Sequence, residues 1–245
     1  MAGIRQAAAG HGESRPGRLL PDWSAVLVVI AHPDDETFGL GAVIDGLTSS
    51  GAAAHVLCYT HGEASTLNET GTDLYRAREA ELEQASAELG SSTVTLLDYP
   101  DGQLSGIPPA ELAAHVTRLA ARHHIDGVLV FDDTGITGHP DHQAATRAAV
   151  LAAITAGLPV LAWTLPAAIA GRLRDETGRY FAGRPPHEVD LCVRVNRARQ
   201  RKAALLHVTQ VSPTAVLWRR LQLQGECEHL RWLLPPKARA RRPQP

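Results

Sequence analysis

Several features that would assign the chain to a particular class are scarce or missing in its 245 residues. Cysteine occurs only as Cys58, Cys192 and Cys227, without a Cys-x-x-Cys pair. This spacing indicates neither a disulfide framework nor a thiolate zinc site, so we expect a reducing compartment and a cytoplasmic protein. The N-terminal region has no continuous apolar segment of signal-peptide or transmembrane length, and we therefore expect no membrane association.

A strong net charge is also absent, since 24 basic and 26 acidic residues give a formal charge of -2. Binding to nucleic acid needs an excess of basic residues to offset the phosphates, so we expect no nucleic-acid partner. Residues 235–245 are basic and proline-rich and are predicted to be a solvated tail, while residues 1–22 are predicted to be mobile. The remaining residues, 23–234, are interpreted as one domain.

Aromatic residues make up only 4% of the chain, so its core must be built mainly from alanine, leucine and valine. Residues 25–31, AVLVVIA, predict a first strand that is buried on both faces of a parallel sheet. Residues 73–89 form the clearest helix, because strong helix formers dominate there until Gly90. Further strands are predicted within 54–60, 94–97, 128–131, 159–165 and 189–195, and further helices within 38–50, 108–122, 141–156 and 197–208.

This alternation of strands and helices predicts a Rossmann-like α/β fold, a mostly parallel sheet with helices on both faces in three layers. Residues 165–187 carry no readable pattern. Residues 212–234 are predicted to pack as a C-terminal helix through Trp218, Leu221, Leu223, Leu230 and Trp232. In the doubly wound strand order 3-2-1-4-5, strands one and four are neighbours, and ligands bind beyond their carboxyl ends.

Two His-Pro-Asp segments stand at those two positions. His32-Pro33-Asp34-Asp35 follows strand one directly, and His139-Pro140-Asp141-His142 comes a few residues after strand four. A catalytic zinc site typically takes three protein ligands from His, Asp or Glu and leaves a fourth position to water. We predict that His32, Asp35 and His142 supply this ligand set.

A hydrolase of this kind needs a base beside the metal. Coordination lowers the pKa of the bound water toward about 7, and a nearby carboxylate then accepts its proton. Asp34 is the candidate base, and His139 is the candidate for stabilising the oxyanion or protonating the leaving amine. Asp141 or Asp133 is expected to orient an imidazole, and Glu36 to orient His32 or cap the helix that follows.

The sequences AHPDDETFGLGA and TGHPDHQAA closely resemble the motifs of the LmbE-like or PIG-L family of zinc-dependent N-acetylglucosaminyl deacetylases, which includes enzymes of mycothiol and bacillithiol synthesis. The similarity extends through RAREAELEQASAELG, YPDGQL and RKAALLHVTQ, and so covers most of residues 25–210. The resemblance implies a Rossmann-like fold, bound Zn²⁺ and hydrolysis of an N-acyl group, usually acetyl on an amino sugar. It also implies the ligand, base and oxyanion roles assigned above.

The resemblance further implies that Arg78 and Asp101 hold sugar hydroxyls. His207 either packs structurally or lines the pocket. The expected partner is a small-molecule N-acyl amino sugar, and a homo-oligomer is compatible with the sequence. The identity of the sugar does not follow, because residues 165–187 match no motif.

Two alternatives stay open from the sequence. Two histidines and one carboxylate also form the ligand triad of ferrous oxygenases, so Fe²⁺ and oxygen chemistry are compatible with the same residues. The amide is also compatible with a thiol conjugate or an intermediate of antibiotic biosynthesis. A non-catalytic binding protein is disfavoured, because Asp34 and the complete ligand set are present.

Overall fold

The computed structural model describes residues 19–67 and 73–237 of the chain. Within these residues one seven-stranded sheet has the order β3-β2-β1-β4-β5-β7-β6. β1 to β5 run parallel, and β7 runs antiparallel to both of its neighbours. The strands are β1 (Ala25–Ile30), β2 (Ala53–Cys58), β3 (Thr93–Leu96), β4 (Gly127–Phe131), β5 (Val160–Thr164), β6 (Leu191–Arg194) and β7 (Cys227–Leu234).

Helices pack against both faces of the sheet, as expected for a three-layer α/β fold. Short 3₁₀ turns lie at Leu104–Gly106 and Pro186–Glu188. The helices are α1 (Asp35–Phe38), α2 (Gly41–Ser49), α3 (Leu74–Glu88), α4 (Pro109–His123), α5 (Gly135–Gly138), α6 (Pro140–Ala156), α7 (Ala167–Thr177), α8 (Ala198–Ala204) and α9 (Val216–Gln224).

β1 shows why its sequence is apolar at every position. Val26, Val28 and Ile30 join the core on the side of α2 and α3, whereas Leu27 and Val29 join the core on the side of α4 and α6. Successive side chains of a strand point to opposite faces, so a central strand covered on both faces needs apolar residues throughout. The predicted fold class is confirmed, and the order 3-2-1-4-5 holds for β1 to β5.

The prediction of one C-terminal helix over residues 212–234 is wrong. α9 ends at Gln224, and Gly225 adopts φ 57° and ψ -132°, a conformation that favours glycine and turns the chain into β7. In β7 Glu228 and Leu230 are buried while Cys227 is only partly buried, which is the two-residue alternation of a strand. Residues 165–187, which match no motif, contain α7.

The expectation that the chain has no disulfide is also wrong. Cys192 of β6 is bonded to Cys227 of β7, with their Cα atoms 6.1 Å apart. The pairing of β6 with β7 sets Cys192 opposite His229 and Arg194 opposite Cys227, so the two cysteines are diagonal neighbours across the two strands. A reducing compartment therefore no longer follows from the cysteines, and the cytoplasmic location stays a prediction.

Only part of the two predicted terminal segments lies within the described residues. Residues 1–18 of the predicted mobile segment and 238–245 of the predicted tail lie outside the described residues. Leu20 packs against the main core. Among the described helices, none is both long enough and apolar enough to cross a membrane.

Candidate metal centre

The two His-Pro-Asp segments meet beyond the carboxyl ends of the neighbouring strands β1 and β4. His32 Nδ1 lies 3.2 Å from His142 Nε2, and His142 Nε2 lies 3.1 Å from Asp35 Oδ1. His32 Nδ1 is 3.7 Å from Asp35 Oδ2. Ligands about 2.1 Å from a tetrahedral ion would lie roughly 3.4 Å from one another, so these three side chains have the spacing of a metal ligand set.

The protonation of both histidines follows from their outer contacts. His142 Nδ1 lies 3.2 Å from the carbonyl oxygen of Gly135, which only accepts, so Nδ1 is the protonated nitrogen. His32 Nε2 lies 3.1 Å from Asp101 Oδ1 and 3.4 Å from Asp141 Oδ2, so its proton lies on Nε2. In the neutral rings, the nitrogens that face each other therefore carry the lone pairs that can bind a metal ion.

Asp35 completes the group of three candidate ligand atoms with a carboxylate oxygen. Burial acts to raise the pKa of Asp35, but His142 and His32 hold that pKa well below its ordinary value, so the carboxylate is ionised. Burial acts to lower the pKa of His32, but Asp101, Asp141 and Asp35 raise it well above its ordinary value. Positive charge is therefore favoured at this point, either as a proton on the imidazole or as a metal ion that replaces it. The residues present therefore fit a divalent metal with N and O ligands.

Asp34 lies beside this cluster in a strained backbone conformation, with φ 103°. Its backbone N–H donates to Glu36 Oε2 at 2.9 Å, and its carbonyl accepts from the Thr37 hydroxyl at 3.0 Å, which together hold the turn. Strained residues of this kind are concentrated at functional sites. Burial raises the pKa of Asp34 to about 6, although the guanidinium of Arg78 acts to lower it.

Glu36 does not touch a histidine ligand in the structure. Besides capping Asp34, its Oε1 lies 2.5 Å from Nε2 of His207, which is fully buried. Burial acts to lower the pKa of His207, but Glu36, with Glu81 and Asp34, raises it to about 10. His207 therefore packs structurally beneath the centre and does not line the cavity.

The two predicted sugar contacts line the cavity, and both also bind protein groups. The guanidinium of Arg78 donates to Asp34 Oδ2 at 2.9 Å and to the carbonyls of Gly62 and Pro33. Asp101 contacts His32 and accepts a hydrogen bond from the backbone N–H of Ala64 at 3.0 Å. The contact of Asp101 with a ligand histidine is a feature that the sequence did not indicate, and the sugar contacts stay predictions.

His139 begins α6 and faces the same cavity. Its Nδ1 accepts a hydrogen bond from the Asp141 backbone N–H at 3.2 Å, so in the neutral ring the proton lies on Nε2. Burial, with His142 and His32, lowers the pKa of His139, which favours this neutral form. A neutral imidazole with a fixed Nε2–H is a hydrogen-bond donor.

Asp141 is fully buried behind the ligands. It accepts hydrogen bonds from the backbone N–H groups of Gly102, at 2.7 Å, and Leu104, at 3.0 Å, and contacts His32. Of the two aspartates predicted to orient an imidazole, Asp141 is the one that contacts a histidine ligand, His32. Asp133 instead pairs with Arg184, away from the histidines.

A cavity of about 420 Å³ opens onto these residues. Its size is within the range of pockets that bind small molecules. Nine of its twelve lining residues have polar or charged side chains. The lining consists of His32, Asp34, Asp35, Ala64, Ser65, Thr66, Leu67, Arg78, Asp101, Gly102, His139 and His142.

Known proteins are similar to this chain in sequence and in fold. Residues 27–154 match the PIG-L family, described as GlcNAc-PI de-N-acetylase. A probable N-acetylglucosaminyl-phosphatidylinositol de-N-acetylase of Schizosaccharomyces pombe is 30% identical over 142 residues, 56% of this chain and 55% of that protein. A 1D-myo-inositol 2-acetamido-2-deoxy-alpha-D-glucopyranoside deacetylase of Mycolicibacterium vanbaalenii is 34% identical over 173 residues, 59% and 60% of the two chains.

The chain thus spans somewhat more than half the length of these two relatives. Among solved structures, N,N'-diacetylchitobiose deacetylase from Pyrococcus horikoshii, in complex with an inhibitor, superposes with a TM-score of 0.64. That alignment covers 87% of this chain and 85% of the other at 22% identity, so it supports the fold. With the family match covering both strands and both motifs of the centre, the chain belongs to the PIG-L family.

Proposed function

We propose that the protein is a metal-dependent amide hydrolase that removes an N-acyl group, acetyl in the first instance, from an amino sugar. The observation that carries this proposal is the convergence of His32 Nδ1, Asp35 and His142 Nε2 as three candidate ligand atoms beside Asp34 and His139. The relatives named above as de-N-acetylases support the reaction type.

Zn²⁺ is the proposed ion. Two imidazoles and one carboxylate suit Zn²⁺, and Fe²⁺ binds the same ligands. These ligands therefore favour Zn²⁺ and Fe²⁺ over harder ions. When bound, the ion would polarise the amide carbonyl and lower the pKa of water toward about 7. Asp101 and Asp141 would hold the ring of His32 with its lone pair directed at the ion.

Asp34 is the proposed general base. Arg78 fixes its carboxylate through a contact of 2.9 Å, and a pKa of about 6 leaves it ionised at neutral pH yet basic enough to take a proton from water. The same carboxyl group would then carry a proton available to the leaving amine. The net reaction converts an amide and water into a carboxylate and an amine.

His139 is the proposed donor to the oxyanion that develops on the carbonyl oxygen when water attacks the carbonyl carbon. Its Nε2–H is fixed by the hydrogen bond at Nδ1, so the ring is oriented before substrate binds. A preorganised donor of this kind commonly contributes a factor of about 10² to 10³ to kcat.

Acetate release from a panel of N-acetyl amino sugars and their glycosides tests the proposal. We expect release by metal-replete protein, loss after treatment with a chelator and recovery when Zn²⁺ or Fe²⁺ is added back. Oxygen consumption is measured in parallel. No acetate from any member of the panel, or oxygen uptake without acetate, would overturn the proposal.

A further inference from the structure

A second cluster of side chains that bind metal ions lies at the edge of the sheet, and we call it the edge cluster. It consists of Cys192 of β6 with Cys227 and His229 of β7. The two sulfur atoms and one ring nitrogen of His229 all lie within 4.8 Å of one another. These three residues are not in the wall of the polar cavity beside His32 and His142. The edge cluster is therefore separate from the candidate metal centre.

The pairing of β6 with β7 brings the three side chains to one face of the sheet. Cys192 lies directly opposite His229, and Cys227 precedes His229 by two residues. Residues two apart on a strand share a face, and so do residues directly opposite each other on neighbouring strands. Glu228, which lies between Cys227 and His229, points to the other face, where it accepts a hydrogen bond from the indole N–H of Trp163 at 2.7 Å.

His229 has a buried nitrogen that its protein neighbours leave unused. Its Nδ1 atom is buried and has no hydrogen-bond partner among the residues that the structure describes. Buried polar atoms without a partner are rare in native proteins, and a bound ion is one physical explanation for them. Neutral imidazole is also the commonest metal ligand in proteins. The unused nitrogen therefore supports a metal ion as its partner.

The two cysteines are joined as a disulfide in the structure, so the edge cluster can bind a metal ion only after that bond is reduced. Cys192 and Cys227 are both partly buried, which leaves them within reach of a reductant from solvent. A dithiol reductant breaks the S–S bond with two electrons and two protons, and the products are two cysteine thiols and the disulfide of the reductant. Each thiol then loses its proton when it binds a metal ion.

Two thiolates and one imidazole form a soft ligand set. Such ligands favour Zn²⁺ over Mg²⁺ and Ca²⁺, and zinc binds two cysteines and one histidine in proteins with water in the fourth position. Bonds of about 2.1 to 2.3 Å to a tetrahedral ion separate the ligand atoms by roughly 3.4 to 3.8 Å. The Cα atoms of Cys192 and Cys227 are 6.1 Å apart, so rotation of the two side chains can open this distance between the sulfurs.

We propose that the edge cluster binds Zn²⁺ when its cysteines are reduced, and that the ion then joins β6 to β7 in place of the disulfide. β7 is the single neighbour of β6 among the described strands, so the attachment of β6 depends on this one pairing. The same edge is held by a covalent bond under oxidising conditions and by a metal ion under reducing conditions. In the oxidised protein, bound metal reports the candidate metal centre alone.

Binding of Co²⁺ to the full-length protein tests the proposal. A cobalt–thiolate bond gives an intense charge-transfer absorption in the near ultraviolet, which histidine and carboxylate ligands do not give. The protein is freed of metal with a chelator and is then left oxidised or reduced with dithiothreitol, which is removed under argon. We expect the band only in the reduced protein, with about one more Co²⁺ bound per chain. His142→Ala should keep the band, because the candidate metal centre contains no thiolate.

Variants then assign the ligands. Cys192→Ser should lose the band. His229→Ala should weaken Co²⁺ binding at the edge cluster at least tenfold, because even the outer partner of a ligand typically contributes about 10- to 100-fold to metal affinity. Cys58→Ala, at the remaining cysteine, and His187→Ala, at an exposed histidine, are the matched controls and should keep both the band and the affinity.

Two results would overturn the proposal. The first is the absence of the band in the reduced wild-type protein, a measurement that needs no variant to fold. The second is a band that persists in Cys192→Ser. Either result leaves the proposed function intact, since acetate release is measured on the oxidised protein and depends on the other set of ligands.

Discussion

Asp34 and Asp141 occupy the same place in the two His-Pro-Asp segments, two residues after the histidine, yet their surroundings differ. Asp34 faces the cavity, is held by one guanidinium and has its pKa raised to about 6 by burial. Asp141 is fully buried, and although burial acts to raise its pKa, hydrogen bonds from His32 and the Gly102 N–H lower it. Identical motifs thus give one carboxylate suited to proton transfer and one suited to holding a ligand.

The backbone explains why the segments diverge. The first makes a left-handed turn at Asp34 and ends in a single helical turn, so that Asp35 reaches the centre. The second places Pro140 at the first position of α6, a helix of 17 residues, and brings His142 to the centre instead. The first and fourth residues of each segment face the site. In the first segment both are candidate metal ligands, whereas in the second only the fourth, His142, is a candidate ligand.

The largest effect is expected from removing the ligand of the second segment. His142→Ala should lower bound metal from about one ion per chain to less than a tenth, because two ligands hold zinc poorly. Activity should fall with the metal. Elemental analysis after dialysis checks this, with the exposed His187→Ala as control; normal metal content in His142→Ala would disprove the ligand assignment.

Asp34→Asn should keep the metal and lose turnover. The amide retains the shape of the side chain but accepts no proton, so we expect kcat to fall by about 10² to 10⁴. Metal content and kcat are measured on the same preparation. Loss of metal equal to that in His142→Ala would contradict the separation of base and ligand.

Asp141→Asn sharpens the comparison because it is the same change at the matching position. The new amide NH₂ must face a backbone N–H of Gly102 or Leu104, which the carboxylate accepts. We expect metal affinity to weaken about 10- to 100-fold, with much of kcat retained at saturating metal. Competition with a chromophoric chelator measures the affinity, and a wild-type value would refute this role.

The smallest effect concerns His207, which supports the first segment through Glu36. Because the folded-state pKa of His207 is raised to about 10, its stabilisation is complete below about pH 6.5 and is lost as the pH rises through 10. We expect the free energy of unfolding to fall by about 1 kcal/mol per pH unit between pH 7 and 9.

Denaturant unfolding at a series of pH values measures this slope, and His207→Gln should lack it. The variant places an uncharged amide beside Glu36, so its stability should vary little with pH in the same range. An equal slope in both proteins would assign the pH dependence to other groups.

Local sequence patterns were sufficient to predict many of the strands and helices. The apolar run of β1 and the strong helix formers of α3 fix these elements by themselves, and the spacing in the two motifs indicated which side chains could converge. The meeting of His32 with His142 followed from the order of parallel strands, which obeys a general rule.

The missed features depend on contacts between distant parts of the chain. β7 could not be predicted from its own residues, because its apolar positions also suit a helix. Its strand conformation depends on pairing with β5 and β6. The Cys192–Cys227 bond follows from that same pairing. The contacts of Asp101 with His32 and of His207 with Glu36 likewise join segments whose separation no short motif reports.

The position of β7 also affects how the protein is made. Among the described strands, β6 pairs only with β7, yet Cys192 is synthesised 35 residues before Cys227. Until β7 emerges, one edge of β5 and both edges of β6 present unpaired backbone groups that invite pairing with other chains. The final described strand to leave the ribosome therefore fills the position between β5 and β6 and completes the sheet. A nascent chain that stalls before residue 227 is expected to aggregate through the unpaired edge of β5.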